Sequence, residues 1–69
     1  MKFLINGEIK IINFQESTPN LELLIATLGL NPKIIVVEFN GVILNQQRWK
    51  NQQVRNEDRL EIVTVVGGG

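Results

Sequence analysis

Apolar and polar residues alternate near both ends of this chain, and an apolar spacing of three to four residues occurs once, before its middle. Residues 1–6 and 8–13 are short β-rich runs that meet at Asn6-Gly7. Asn-Gly between such runs predicts a hairpin, because a type I′ turn needs positive φ at both central residues. Phe3, Ile5, Ile9 and Ile11 share one parity within their runs, while Lys2, Glu8 and Lys10 take the other. The hairpin is expected to bury the first set and expose the second.

Ser17-Thr18-Pro19 predicts a helix start, with the Thr18 hydroxyl capping the first turn and Pro19 at the first helical position. Leu21, Leu24, Ile25 and Leu28 then fall on one helical stripe. Glu22 suits the positive end of the dipole, Gly29 a left-handed terminating residue, and Pro32 blocks continuation. A helix of about ten residues follows, the common three-turn length. Residues 34–39 predict a third strand, closed by a second Asn-Gly at Asn40-Gly41, with 42–44 pairing back as a minor strand. Residues 45–53 are polar apart from Trp49 and predict a turn or a short 3₁₀ turn. There the indole would pin the segment to the sheet edge and its N–H would need a partner. Residues 56–58 read as a turn and 60–66 as the last strand.

The order β-β-α-β-(β)-β defines an α+β fold in two layers: a mixed sheet of four to five strands with one main helix packed on one face. The hairpin, the crossover helix and the long final strand suit a β-grasp sheet with its terminal strands adjacent and parallel. One helix cannot cover both faces. The charged positions Lys2, Glu8, Lys10, Glu38 and Glu61 mark the outward parity, and Leu4, Ile12, Ile34, Val36, Val63 and Val65 share it. These six are expected to form a contiguous outer patch, the kind of surface that marks a protein interface.

Sixty-nine residues make one small domain, read as a β-grasp body over 1–66 and a flexible glycine tail over 67–69. Zero formal charge and no basic stripe argue against a nucleic-acid partner. No run approaches the ~20 apolar residues that span a bilayer, so no membrane partner is expected and the protein is placed in the cytoplasm. The chain has neither cysteine nor histidine, which removes the usual zinc ligands and the thiol–imidazole and Ser–His–Asp arrangements. Its one serine sits in a helix-capping context, and the acidic cluster Glu57, Asp58 and Glu61 reads as a solvated turn with an outward strand residue. No phosphate-binding loop is present, so the chain is expected to hold no cofactor and no metal and not to be an enzyme. What remains is Gly67-Gly68-Gly69, directly after a β-branched run. Three extended glycines reach roughly 10 Å without a Cβ on either side. They would carry the Gly69 carboxylate into a narrow slot on another protein.

The opening strand with its Asn-Gly, the segment Val36-Val37-Glu38-Phe39-Asn40-Gly41, the pair Arg48-Trp49 and the run from Asp58 to Gly69 resemble the small sulfur carriers of thiamine (thiazole) synthesis, which are ubiquitin-like β-grasp proteins. The resemblance covers nearly the whole chain. It implies that an E1-like enzyme binds the sheet face, draws Gly67 and Gly68 into its ATP site and adenylates the Gly69 carboxylate. Sulfur from a cysteine desulfurase or sulfurtransferase would then make a thiocarboxylate, and thiazole synthase would accept that sulfur. ATP is thus used by the activating enzyme. Two features depart from the family pattern: three terminal glycines stand in place of two, and Glu57-Asp58 replaces the usual Gly-Asp before the last strand. The alternatives are the related carrier of molybdopterin synthase, a protein-modifying ubiquitin-like tag, and a non-covalent β-grasp interaction module.

Overall fold

In the computed structural model, which describes residues 1–65, the strands are β1 (Lys2–Ile5), β2 (Glu8–Ile11), β3 (Ile35–Phe39), β4 (Val42–Leu44) and β5 (Arg59–Thr64). The helix α1 (Leu21–Thr27) lies between β2 and β3, and 3₁₀ turns occupy Pro32–Ile34 and Gln46–Asn51. The strands form a single sheet in the order β2-β1-β5-β3-β4. β1 and β5 run parallel, and the other neighbours are antiparallel. This is the β-grasp arrangement the element order predicts, with the last strand at the centre.

Both Asn-Gly pairs turn as their chemistry requires: Asn6 and Gly7 have φ of 51° and 79°, Asn40 and Gly41 48° and 87°. The first hairpin nevertheless turns a different face of β2 toward the helix side from the one expected, and all four β2 residues stay exposed. Its two-residue turn sets Ile5 opposite Glu8, Leu4 opposite Ile9 and Phe3 opposite Lys10. Opposed residues of an antiparallel pair share a face, so crossing the turn exchanges the parity. Ile9 and Ile11, 65% and 66% exposed, lie beside Leu4 on the outer face. Glu8 and Lys10 point to the helix side at the sheet margin, stay exposed and pair with each other at 3.5 Å. Ile12 follows Lys10's parity and packs against the core, so it does not belong to the outer patch.

The helix also starts later than Ser17-Thr18-Pro19 suggests. Asn20 is the cap: its side-chain oxygen accepts from the Leu23 N–H at 2.8 Å. The cause is tertiary. Pro19 O accepts from Val54 N and Leu21 N donates to Gln52 O, which holds Asn20 extended in an isolated bridge with Gln53. At the other end Gly29, at φ 75°, closes a Schellman motif, with Gly29 N donating to Ala26 O and Leu30 N to Ile25 O. Leu21, Leu24 and Ile25 are buried against Phe3, Ile5, Val37, Phe39 and Leu60. Trp49 completes this layer, and its indole N–H donates to Leu44 O at 3.1 Å. Ile34, expected in β3, belongs instead to the preceding 3₁₀ turn, which Asn31 caps through Lys33 N.

Candidate functional site

The strand that leads to the glycines is held more firmly than any sequence pattern indicates. β5 pairs with β3 over its whole length, from Phe39 opposite Leu60 to Ile35 opposite Thr64. On its other side it meets β1 only at Leu4–Arg59 and Ile5–Leu60. There the Asn6 N–H donates to Leu60 O at 2.9 Å, and the chain then turns away at Gly7. The Asn6 side chain supplies the next rung: its Oδ1 accepts from Ile62 N at 2.7 Å and its Nδ2 donates to Ile62 O at 3.1 Å. A carboxamide has the same donor and acceptor as a peptide unit, so it extends the ladder where the main chain leaves.

The second Asn-Gly turn grips the start of β5 from the opposite side. Asn40 Oδ1 accepts from Arg59 N at 2.8 Å, and Asn40 Nδ2 donates to Asp58 Oδ1 at 3.0 Å. Asp58 in turn accepts from Arg55 N, closing the turn before the strand. Glu57 in that turn adopts φ 72°, the left-handed conformation that suits the glycine its position resembles. Its N–H donates to Lys2 O, and its carboxylate meets Lys2 Nζ at 3.5 Å.

Gly67, Gly68 and Gly69, on which the carrier chemistry is expected, lie outside the described residues. The surface that leads to them divides into two apolar regions. Next to the tail, Val36 and Val63 face each other across β3 and β5; Val63 is 61% exposed, and Val65 and Ile34 continue the row. Away from the tail, half-buried Leu4 joins Ile9 and Ile11. Between them lies a polar band of Arg59, Glu61 and Glu38, with the two glutamates directly opposed. The expected patch is therefore two patches with charge between them. Its inventory loses Ile12 and gains Ile9, Ile11 and, on β4 beside Glu38, Ile43. The hairpin register would have identified the first two, because a two-residue turn places residues three apart on one face.

None of the described residues' charged or polar side chains is buried, and no three of their acidic side chains are grouped to hold a metal ion. No helix among them is long and apolar enough to cross a membrane.

Comparison with known proteins gives a consistent result. The model of the ThiS family matches residues 3–69. The sulfur carrier protein ThiS of Bacillus subtilis is 34% identical over 65 residues, covering 94% of this chain and 96% of that one. A thiazole synthase of Paramagnetospirillum magneticum is 38% identical over 69 residues; the match takes in all of this chain and 20% of that protein. The crystal structure of the thiamine biosynthesis protein ThiS from Geobacter metallireducens superposes with a TM-score of 0.83 over the full length of both chains, at 24% identity, and so shares the fold.

Proposed function

The chain belongs to the ThiS family, and from that premise we propose that it carries sulfur for thiazole formation on the carboxylate of its own C-terminal glycine, Gly69. An E1-like enzyme binds the outer sheet face and receives Gly67 and Gly68 in its ATP site. A carboxylate oxygen of Gly69 attacks the α-phosphate of ATP and pyrophosphate leaves. The acyl-adenylate has AMP as a good leaving group, so the outer sulfur of a persulfide supplied by a cysteine desulfurase or sulfurtransferase displaces it and forms an acyl disulfide; a second thiol then cleaves the S–S bond, leaving the carrier as a thiocarboxylate and the two thiols joined as a disulfide. Thiazole synthase accepts the sulfur. The chain itself needs no cofactor for this role, since ATP is consumed on the activating enzyme.

The observation that carries this reading is the family match running through the glycines at residue 69. Three features support it. The strand preceding the glycines is central in the sheet and held from both sides, so binding energy gained on the domain's surface can position the tail's reacting end. The apolar row of Ile34, Val36, Val63 and Val65 lies beside the point where the tail departs. A protein named thiazole synthase contains a segment of this kind, which favours the synthase as acceptor. The test is reconstitution of the last step. The thiocarboxylate form, mixed with thiazole synthase and its small-molecule substrates, should place its sulfur in the thiazole ring. Transfer only to a molybdopterin synthase would reassign the pathway.

A further inference from the structure

We propose that the enzyme which adenylates the tail lays an extended strand of its own against β5 at Thr64, in the place that β1 vacates when it turns away at Gly7. The proposal rests on the carrier reading above and adds how the tail is held.

The register assigns the direction of each main-chain group. In β5, Val65 N donates to Ile34 O and Arg59 O accepts from Asn40 N, so the odd-numbered residues face β3. Leu60 O accepts from Asn6 N and Ile62 N donates to the Asn6 side chain, so the even-numbered residues face β1. Main-chain groups in a ladder alternate with period two. Thr64 therefore turns its N–H and its C=O toward the β1 side, one rung beyond the Asn6 carboxamide. Among the described residues nothing pairs with either group. An inner strand thus acquires an open edge immediately before the tail.

Two observations identify the occupant. A glycine segment offers a binder no side chain, only N–H and C=O, so specific recognition of the tail has to be made through its main chain. A strand that pairs with Thr64 continues alongside the residues that follow, and fixes the carboxylate's approach to a nucleotide. The open edge also adjoins a depression of about 340 Å³, lined by Ile5, Leu28, Leu30, Ile62 and Thr64 and by the Glu8–Lys10 ion pair. An added strand sends alternate side chains to one face, so one side chain of the incoming segment, with an apolar stem against Leu28, Leu30 and Ile62, fits there while its neighbours cover Val63 and Val65.

The test is Thr64→Pro, together with amide exchange on the unsubstituted chain. Proline removes only the N–H that faces the open edge; the Val65–Ile34 bond stays, and extended Val63 is the backbone that a following proline favours. The variant should melt like the parent but be adenylated with kcat/KM lower by about tenfold or more, the effect of one interfacial main-chain bond that cannot form. In the complex of the unsubstituted chain with the adenylating enzyme, the Thr64 amide should exchange at least about tenfold more slowly than in the free protein. Should Thr64→Pro fail to fold, that exchange measurement decides alone. Equal adenylation of a folded Thr64→Pro, or a Thr64 amide unprotected in the complex, overturns the added strand while leaving the carrier reading intact. Protection seen only with the acceptor synthase likewise overturns the assignment to the adenylating enzyme. A chain that the enzyme neither binds nor adenylates removes both.

Discussion

Asn6 combines two roles that one substitution separates. Its φ of 51° makes the turn, and its carboxamide makes the last rung against Ile62. Asn6→Gly keeps the turn and removes the rung. It should cost about 1–2 kcal/mol in chemical denaturation, the range for losing a paired side-chain amide. A variant as stable as the parent would show that the rung contributes nothing. Glu57 predicts the opposite sign. A side chain at φ 72° carries about 1–2 kcal/mol of strain, and its ion pair with Lys2 is solvent-exposed. Glu57→Gly should therefore stabilise the fold by about 0.5–1 kcal/mol, after allowance for the greater freedom of glycine in the unfolded chain. A lower denaturation midpoint would contradict this. The sequence displays both turns, since Asn-Gly and the Glu57-Asp58 substitution are local signals. It does not display the rung, because Asn6 and Ile62 are 56 residues apart.

At the level of elements, the helix stripe was legible because burial follows its spacing: Leu21, Leu24 and Ile25 are all in the core. Leu24→Ala should cost about 2–5 kcal/mol, a large share of the stability of so small a domain, and should lower the melting temperature strongly. A shift of a few tenths would place Leu24 at the periphery. The Gly29 terminus was legible for the same local reason, and so was the Trp49 packing role, with Leu44 O meeting its indole donor. The helix start was not, because a bridge between Asn20 and Gln53 sets it. The hairpin differs on another point: its strands and turn follow from the sequence, but a two-residue turn exchanges the parity that a simple alternation carries through unchanged. That one step puts Ile9 and Ile11 inside and Ile12 outside; the division of the outer surface in two comes instead from the β3–β5 register, which sets Glu38 against Glu61 between the apolar regions.

For the whole molecule, the consequence is a domain whose core and whose outer docking patch lie on opposite faces of one sheet. The helix side holds the core, while the far side carries Val36 and Val63 beside the strand end. Val63→Lys should thus change stability by no more than about 0.5 kcal/mol, as for an exposed position. It should weaken association with the E1-like enzyme, read as a raised KM for adenylation; an unchanged KM would move the docking surface elsewhere. The central claim, that the C-terminal glycine is the reactive group, has a more direct test. The full chain is incubated with the E1-like enzyme, ATP, a persulfide donor and a thiol reductant, and its intact mass is then measured. Replacement of one oxygen by sulfur, localised to Gly69 by fragmentation, is the predicted result. An unchanged mass, with an enzyme that modifies another carrier of the family in the same mixture, would contradict it.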